Sequence, residues 1–400
     1  MKIKVARIIT RMDLGGAQQA VLYLARHLNR DFFEQVFITG EGGLLSSDLS
    51  SVPSIKHYIV RELNRHVGAK GLTTDIRAIA KICTILRNEK PDITHTHTPK
   101  AGILGRWASW LAGIPRIAHT FHGLGFCDSH PAVKKRLYIW TERVTGIITT
   151  QFVAVSERNR HRGEGYDFFH RQNCELIRSG VDFSLFKTGL LDKSQKKIEL
   201  GLCPSDKIVG IVAGFKPPKG LHHFLDVARK VMDQRPETKF LMVGDGELRC
   251  ALESQVHRLQ LDSVVRMVGW RRDIPELLQI FDVFLLTSLW EGLPRVLLEA
   301  MILGVPIVAT NVDGIGEVVQ ADENGYLASP GDTTEMARRV LQLLANEELR
   351  VRMGRTSQRI VEPFSAQKMV EDYTRLYLRM MDRPCGPRDR LKKPFGNISR

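Results

Sequence analysis

Short strand-like apolar runs alternate with helix-like apolar patterns from one end of this chain to the other. Residues 5–9 read as a strand, 18–28 as a helix and 36–39 as the next strand, and a similar series starts again at Ile208. This alternation predicts βαβ units, in which a helix connects two parallel strands. The chain has 400 residues, which is too long for one ordinary domain. We therefore predict an α/β protein with two domains, each built on a parallel sheet.

A polar segment punctuated by Gly and Pro, near residues 183–206, separates the two series. On this basis residues 1–185 form an N-terminal Rossmann-like domain and residues 186–365 a C-terminal one. Residues 366–381 have the pattern of a helix, which we expect to pack back on the N-terminal domain. Residues 382–400 are basic, rich in Pro and without apolar periodicity, which predicts a mobile tail.

The overall composition is that of a soluble globular protein, with 43% hydrophobic and 26% charged residues. No run approaches the ~20 apolar residues of a membrane-spanning helix, and the first nine residues are too short and broken for a signal peptide. The six cysteines lie far apart without a C-x-x-C pair, so neither a disulfide framework nor a zinc site is indicated. We expect a cytoplasmic protein.

The net charge of +14 is distributed unevenly along the chain. Residues 1–185 hold 26 basic and 16 acidic residues, residues 186–381 hold 26 of each, and the tail is again basic. A basic domain can meet anionic lipid, a phosphorylated acceptor or nucleic acid, although scattered charge also serves solubility. Within it, residues 130–150 combine cations with aromatic and aliphatic side chains, which fits either a membrane-docking segment or a core helix with a solvated basic end.

The most informative stretch runs from Thr287 to Ala309 and reads as a loop, a helix and a buried strand. Glu291 precedes the helix and Glu299 lies a little over one turn inside it. Backbone donors at a helix start favour an anion, and carboxylates accept hydrogen bonds from hydroxyl groups. A ligand with both phosphates and hydroxyls would suit this combination. The alternative is an ordinary βα connection with solvated glutamates.

Other candidate residues follow strands, where the carboxyl ends of parallel strands meet at one edge of a sheet. Gly15-Gly16 after the first strand lets backbone donors approach a phosphate, and Lys216 and Lys219 can neutralise phosphate charge at a later turn. His122 ends a strand beside a glycine and either reaches into a cleft or is a satisfied structural histidine. His95 and His97 are expected to face the same cleft; without a third ligand at a recognisable spacing, no metal site is predicted.

Taken in order, these motifs resemble the retaining nucleotide-sugar glycosyltransferases of the GT-B fold, specifically family 4 (glycosyl transferases group 1) of the bacterial polysaccharide and lipid-linked sugar type. The resemblance covers residues 3–380 and is most specific at Glu291-Gly292-Leu293-Pro294 through Glu299. It implies two Rossmann-like domains whose parallel sheets face each other across a cleft. Supporting matches are Gly15-Gly16-Ala17, His122-Gly123, Val155-Ser156, Gly180-Val181-Asp182, Lys219-Gly220, Gly244-Asp245-Gly246, Gly304 to Ala309, Gly314 to Glu317 and Asn324-Gly325.

The resemblance also implies roles for individual residues. Glu299 looks like the residue that binds the ribose hydroxyls, and Glu291 like the one that faces the hydroxyls of the donor sugar. Lys219 would hold the diphosphate as the leaving group gains charge, and His122 would contact the donor sugar near the reacting carbon. The catalytic set is therefore His122, Lys219 and Glu291. The donor-binding set is Gly15, Gly16, Lys216, Lys219, Glu291, Gly292, Leu293, Pro294, Arg295 and Glu299.

Two positions depart from the family pattern. Many members have an Arg just before the apolar residue of the phosphate loop, where this chain has Gly214 before Phe215, and Ser179 stands where members often have Asn. The first departure leaves Lys219 to supply the phosphate contact, and we hypothesise that Lys216 assists it.

The implied activity is transfer of a hexose or N-acetylhexosamine from a nucleotide-diphosphate sugar, with retention of anomeric configuration and without a cofactor or obligatory metal. We expect a lipid-linked saccharide acceptor in polysaccharide or lipopolysaccharide assembly, reached peripherally at the anionic inner face of the cytoplasmic membrane. Alternatives are a GT-B sugar-nucleotide epimerase or hydrolase, a sugar-nucleotide-binding protein without catalysis, and a basic nucleic-acid-binding protein. The last is disfavoured by 7% aromatic residues and the lack of a recognisable binding module, so no nucleic-acid partner is expected.

Overall fold

The computed structural model describes residues 2–64, 69–126, 131–186 and 191–382. The chain divides into two compact units. The N-terminal unit comprises Met1–Ser179 together with the described part of Gln367–Arg400, and the C-terminal unit comprises Gly180–Ala366. Each unit contains one parallel sheet with helices, so the expected α/β class with two parallel-sheet domains is confirmed.

The sheet of the N-terminal unit has seven parallel strands in the order β3-β2-β1-β4-β5-β6-β7. Chain order reverses between β1 and β4, which pair in parallel with Ile8 opposite Thr96. The strands are β1 (Ile3–Ile9), β2 (Phe33–Thr39), β3 (Ile55–Ile59), β4 (Ile93–His97), β5 (Arg116–Phe121), β6 (Gln151–Ala154) and β7 (Cys174–Leu176). The helices are α1 (Gly16–His27), α2 (Ser46–Ser50), α3 (Ala69–Glu89), α4 (Pro99–Leu111), α5 (Ala132–Ile147) and α6 (Glu157–Gly165).

The sheet of the C-terminal unit has six parallel strands in the order β10-β9-β8-β11-β12-β13, with its reversal between β8 and β11. Its strands are β8 (Ile208–Val212), β9 (Lys239–Val243), β10 (Val265–Met267), β11 (Val283–Leu286), β12 (Ile307–Thr310) and β13 (Gly325–Ala328). Its helices are α7 (Lys193–Glu199), α8 (Leu221–Met232), α9 (Arg249–Arg258), α10 (Ile274–Gln279), α11 (Arg295–Ile302), α12 (Thr333–Ala345) and α13 (Glu347–Val361); α14 (Ala366–Asp382) ends the described chain.

Central strands of both sheets are buried on both faces, and in the C-terminal sheet this explains their nearly continuous apolar sequence. All four residues of β11 and of β12 are buried, as are the last five of β1. Helices cover the hydrophobic side chains of β8, β11 and β12 on both faces of the sheet. One of them is α8, whose buried face includes Phe224 and Val231. Burial of this kind is the main stabilising contribution to the fold.

Helix α14 supplies a full apolar face to the N-terminal unit. Met369, Tyr373, Leu376, Tyr377 and Met380 are at least 95% buried and join a core cluster that includes residues of β1, β4, β5 and β6. Arg116 also donates to the backbone oxygens at the end of this helix. The predicted mobile tail begins at the last described residue, and residues 383–400 lie outside the described part of the chain.

A hydrogen-bonded chain of buried polar groups crosses the core beneath α14. Arg7 is fully buried; it donates to Gln35 Oε1 at 2.5 Å and to the Tyr377 hydroxyl at 3.4 Å. The Tyr377 oxygen lies 2.7 Å from His95 Nδ1, and His95 Nε2 lies 2.7 Å from Thr120 Oγ1. Because arginine can only donate, the Tyr377 proton goes to His95 Nδ1, and His95 donates from Nε2 to Thr120. The network therefore fixes the histidine tautomer.

Several elements were not anticipated from the sequence. The edge strand β3 has the sequence Ile-Lys-His-Tyr-Ile, and its residues are only partly buried or exposed, so it lacks the apolar run of a central strand. Helix α13 is strongly polar, with Arg-rich turns, and was not predicted. The segment expected to be an irregular linker contains α7, which Lys196 ties to Asp273 through an ion pair of 2.5 Å.

We expect Tyr377→Phe to lower the opening free energy of β1 and β4 by about 1–3 kcal/mol, since it removes the hydroxyl that Arg7 and His95 share inside the core. Native-state amide hydrogen exchange of these strands measures the loss without assuming two-state unfolding of two units. The matched control is Tyr373→Phe on the same helix, whose hydroxyl contacts the neutral Thr120 Oγ1 at 3.1 Å. Equal losses in the two variants would contradict a special role for the Tyr377 hydroxyl.

Candidate active site

Three loops meet at the carboxyl edge of the C-terminal sheet, next to the reversal of strand order. They follow β8, β11 and β12, which are consecutive neighbours in the sheet. In open α/β sheets ligands bind at such a reversal, because loops on its two sides run to opposite faces and leave a crevice. Lys219 lies in the first loop, Glu291 in the second and Asp313 in the third.

Backbone and side-chain hydrogen bonds hold the three loops together. Leu289 N donates to Pro218 O at 2.8 Å, and Gly314 N donates to Gly292 O at 3.0 Å. The Asp313 carboxylate accepts from Glu291 N at 2.7 Å, with Asp313 held at a φ of 42° that non-glycine residues rarely adopt. The position of Glu291 is thus set from both neighbouring loops rather than by its own loop alone.

Lys219 and Glu291 form an ion pair within this group. Lys219 Nζ lies 2.5 Å from Glu291 Oε1, and the side chains are 26% and 10% exposed. Ser288 Oγ donates to the same carboxylate oxygen at 2.6 Å. An ammonium group has three donors, so Lys219 can engage a phosphate oxygen while remaining near Glu291. The structure therefore brings two of the three predicted catalytic residues into direct contact.

Gly220 allows the lysine loop to pass close to the glutamate loop. It has a φ of 55°, and a Cβ placed there would lie 2.3 Å from the backbone oxygen of Thr287. Any larger residue would push apart the two loops that carry Lys219 and Glu291. This steric limit gives the physical reason for glycine directly after Lys219 and at the start of α8.

Glu299 lies on α11 in a different environment from Glu291. Burial raises the pKa of its carboxyl, although the Arg295 guanidinium opposes that shift. In the described part of the chain, no hydrogen-bond donor is found on the Glu299 carboxylate, whereas Glu291 has both Lys219 and Ser288. A poorly solvated carboxylate without donors is an acceptor that a ligand hydroxyl can satisfy.

The remaining predicted donor-binding residues belong to the same loops. Gly292, Leu293 and Pro294 are buried and lead into α11, and Arg295 at its first position is 8% exposed. Lys216 is partly buried and precedes the short 3-10 helix Pro217–Lys219. The phosphate-binding role of Lys216 stays a prediction.

In the N-terminal unit, the loops after β1 and β4 flank the reversal of strand order. Gly15 caps α1 and Gly16 is its first residue. Across the reversal, Thr98 has a φ of 66°, unusual for a β-branched residue, and its Oγ1 lies 2.6 Å from Thr10 Oγ1. Rarely populated backbone conformations of this kind cluster at functional sites. The loops after β1 and β4 are therefore a second candidate ligand-binding site.

His122 follows β5 and is partly buried, with its Nε2 3.0 Å from His97 Nδ1. His97 is fully buried and its ring stacks on that of His95 at 4.3 Å between centroids. Burial holds the pKa of His95 and of His97 well below the usual range, so both are neutral at pH 7. The expectation that His95 faces a cleft is wrong, because both its ring nitrogens bond inside the core.

Three site residues escaped the sequence analysis: Ser288, Asp313 as a backbone acceptor, and His97 as the partner of His122. Ser288 and Asp313 each follow a buried strand within three residues of its end, which was a usable signal. The His97 contact depends on the register of β4 against β5, where His97 pairs with Thr120, and no pattern within either strand reports it. Over the described residues no cluster of three His, Cys, Asp or Glu side chains could hold a metal ion.

Comparisons with known proteins identify the family of the chain. A family model described as Glycosyltransferase Family 4 matches residues 14–185, and one described as Glycosyl transferases group 1 matches residues 192–360. A relative from Escherichia coli, UDP-Gal:alpha-D-GlcNAc-diphosphoundecaprenol alpha-1,3-galactosyltransferase, is 29% identical over 95% of this chain and 98% of its own length. N-acetyl-alpha-D-glucosaminyl L-malate synthase from Bacillus anthracis is 28% identical over 94% of this chain and 97% of its own.

Solved structures share the fold. Anabaena HepE in complex with UDP and glucose superposes with a TM-score of 0.81 at 22% identity, covering 94% of this chain and 100% of HepE. Sucrose-phosphate synthase from Thermosynechococcus elongatus gives a TM-score of 0.83 at 19% identity, covering 95% of this chain and 100% of the synthase. The two family models follow one another along the chain and together match most of it. The protein therefore belongs to the GT-B glycosyltransferases that join a Glycosyltransferase Family 4 domain to a glycosyl transferases group 1 domain.

Proposed function

We propose that this glycosyltransferase uses a nucleotide-diphosphate sugar as donor, retains the anomeric configuration, and transfers the sugar to a lipid-linked saccharide. The observation that carries the proposal is the loop group at the strand reversal of the C-terminal unit. It combines a cation, Lys219, with two carboxylates of different character, Glu291 and Glu299. A nucleotide sugar offers the matching groups, namely a diphosphate and two sets of hydroxyls.

In this proposal Glu299 accepts hydrogen bonds from the ribose hydroxyls. Its carboxylate is short of donors and poorly solvated, so two hydroxyl donors would relieve the cost of its charge. The α11 backbone amides that precede it carry partial positive charge and favour the diphosphate. The nucleotide would thus lie across the start of α11, from Pro294 to Glu299.

Lys219 stabilises the diphosphate as it departs with negative charge. An ammonium group in a partly buried site is a strong electrostatic partner for an oxygen that gains charge in the transition state. Glu291, held by Ser288 and by the Asp313 carboxylate at its backbone amide, would accept hydrogen bonds from the donor sugar. Lys216 assists Lys219, and no metal takes part in the proposed step.

The N-terminal unit contributes His122 and the Gly15-Gly16 turn in this proposal. His122 contacts the donor sugar near the reacting carbon, and the buried, neutral His97 keeps its ring in one orientation. Backbone donors of the Gly15-Gly16 turn approach the phosphates. Both roles come from the family resemblance and are proposals for this chain.

The acceptor and the location of the protein are inferred from relatives and from charge. The Escherichia coli relative is named for a diphosphoundecaprenol-linked acceptor, and a Staphylococcus aureus relative, 25% identical over 76% of this chain, is named for capsular polysaccharide biosynthesis. Residues 1–185 carry an excess of ten basic residues, which suits an acceptor with phosphates at an anionic membrane surface. Among the described helices, none has the length and apolar character to span a bilayer.

Release of nucleotide diphosphate from UDP, GDP and ADP sugars, measured with and without lipid-linked acceptors, tests this function. A transferase releases the diphosphate faster when acceptor is present and yields a lengthened acceptor whose new linkage keeps the donor's anomeric configuration. Release at the same rate without acceptor would indicate a hydrolase, and conversion of the sugar without net release an epimerase. Either result would overturn the proposal.

We expect Lys219→Ala to reduce kcat/KM by about 10²–10³, the usual effect of removing a preorganised charge from a transition state. Lys216→Ala should cause a smaller loss. The matched control is Lys230→Ala, at the opposite end of α8 from Lys219, which should leave turnover unchanged. If Lys216→Ala and Lys219→Ala both turned over at the wild-type rate, the phosphate assignment would be wrong.

Glu299→Gln should change stability and ligand binding in opposite directions: at pH 7 the variant should be more stable but bind nucleotide diphosphate more weakly. The folded pKa of Glu299 is raised, so the folded chain binds more protons than the unfolded chain between the two pKa values. Stability therefore falls as pH rises through that window, and Glu299→Gln should be the more stable protein at pH 7 but not at pH 4. Each kcal/mol that the substitution adds to the free energy of unfolding raises Tm by about 2–4 °C in a unit of this size.

The same variant should bind nucleotide diphosphate at least about tenfold more weakly, since a charge-assisted hydrogen bond contributes roughly 1.5–3 kcal/mol. Calorimetric titration with UDP, GDP and ADP identifies the nucleotide on the wild type and then measures the variant. Glu323→Gln, an exposed residue of the same unit, serves as the control. Wild-type affinity in Glu299→Gln would refute the ribose assignment.

A further inference from the structure

Helix α5 is attached to the N-terminal unit by polar contacts and by Tyr138 and Ile139, which are partly buried against a core cluster of aromatic residues. Its buried residues are Glu142 and Thr145 alone among the described side chains of the helix. Arg106 on α4 donates to Glu142 Oε2 at 2.6 Å with both side chains fully buried, and Trp107 Nε1 donates to Thr145 Oγ1 at 3.1 Å. A helix on the surface of a soluble domain normally buries its apolar stripe and exposes its polar face. Here the inner face combines Tyr138 and Ile139 with the buried Glu142 and Thr145, and a second apolar stripe remains on the outer side.

The apolar stripe of α5 points outward. Val133, Leu137, Trp140 and Ile147 are 78%, 61%, 62% and 47% exposed, and Val144 between them is partly exposed. At about 100° per residue these five positions lie within an arc of roughly 80°, along a helix about 24 Å long. The stripe is therefore continuous and straight. Contiguous exposed apolar surface of this kind marks an interaction site rather than chance exposure.

Basic side chains flank the stripe. Lys134 and Arg136 are exposed, and Arg143 is exposed and pairs at the surface with Asp167 at 2.8 Å. The one acidic residue of the helix, Glu142, is buried and neutralised by Arg106. The outer face of α5 thus combines apolar side chains, a tryptophan at its centre and cations at its margins. These are the features of a helix that lies in the interface of an anionic bilayer.

We infer that α5 docks this protein on the surface of an anionic lipid bilayer, with the apolar stripe inserted at the boundary of headgroups and acyl chains. Lys134, Arg136 and Arg143 then contact lipid phosphates at the margins of the helix. The buried Arg106–Glu142 pair keeps the helix attached while its apolar face is in lipid. The alternative of a core helix accounts for Tyr138 and Ile139, which pack against the core, but not for the exposed stripe on the other side of α5.

The position of α5 connects docking with catalysis. The helix follows β5 in the chain, so its first turn lies at the carboxyl edge of the sheet, where His122 also lies. This part of the inference rests on the proposed function: an acceptor whose phosphates lie at headgroup depth would be presented to the edge of the sheet that carries His122. Docking itself does not depend on which sugar is transferred.

The first test is flotation of the full-length protein with vesicles of phosphatidylcholine, with and without phosphatidylglycerol. We expect binding to the anionic vesicles, and Leu137→Ser/Trp140→Ser should weaken it by about tenfold or more. Lys134→Glu/Arg136→Glu should abolish the preference for phosphatidylglycerol. The matched control is Ile198→Ser/Val351→Ser, which removes two exposed apolar side chains from the C-terminal unit and should bind like wild type.

Two outcomes would overturn the docking inference. One is wild-type vesicle binding by Leu137→Ser/Trp140→Ser. The other is a wild-type dimer, seen by light scattering, that becomes monomeric in this variant, since the stripe would then join two copies of the chain. All six substituted side chains, including the two of the control, are exposed, so folding should be preserved, and circular dichroism checks this in each variant.

Activity measurements separate this inference from the proposed function. Leu137→Ser/Trp140→Ser should transfer sugar normally to a short-chain, water-soluble acceptor analogue but poorly to a long-chain acceptor in vesicles. Vesicle binding without transfer to any acceptor would leave docking intact and contradict the proposed function. Equal transfer to soluble and vesicle-bound acceptors, unaffected by the substitutions, would support the proposed function and contradict docking through α5.

Discussion

Every strand in both sheets runs parallel to its neighbours, and this constraint determines where the protein can do chemistry. Parallel strands place all their carboxyl ends at one edge, and the order of strands reverses once in each sheet. In the C-terminal unit the reversal lies between β8 and β11, which brings Lys219 and Glu291 to within 2.5 Å although 71 residues lie between them in the chain. The two loops meet because the strands that precede them, β8 and β11, are neighbours in the sheet.

The site that results is held in place at a cost in stability. Asp313 adopts a rare backbone conformation to accept the amide of Glu291, and Glu299 keeps a carboxylate where burial disfavours its charge. Both features are unfavourable for the isolated fold. In the proposed function, ligand hydroxyls on Glu299 would offset the second cost, which is the usual relation between stability and function at a preorganised site.

The N-terminal unit uses buried polar groups in another way. Arg7, Tyr377 and His95 form a hydrogen-bonded chain that ties α14 to the central strands, and Arg106 with Glu142 ties α5 to α4. Buried polar pairs contribute less than apolar packing but fix one arrangement of the elements. In α5 the outer apolar stripe, which includes Leu137 and Trp140, remains exposed and can contact another surface.

Much of this architecture could be predicted from the sequence. The strands β8, β11 and β12 have nearly continuous apolar sequences because they are covered on both faces, and the glutamate motif before and within α11 was located correctly. Edge strand β3 was missed because a half-exposed strand has no such run. The contact between His97 and His122, and the exposure of the outer apolar stripe of α5, depend on contacts between elements distant in the chain, such as the 2.6 Å Arg106–Glu142 pair. Periodicity within one helix or strand does not report them.

The central claim is that the loops at the strand reversal of the C-terminal unit bind a nucleotide-diphosphate sugar. Hydrogen–deuterium exchange of the whole protein, with and without UDP, GDP and ADP sugars, tests it most directly. The account predicts that one of these donors slows exchange in residues 214–220, 288–299 and 311–317. Protection confined to other segments, or none with any donor, would contradict it.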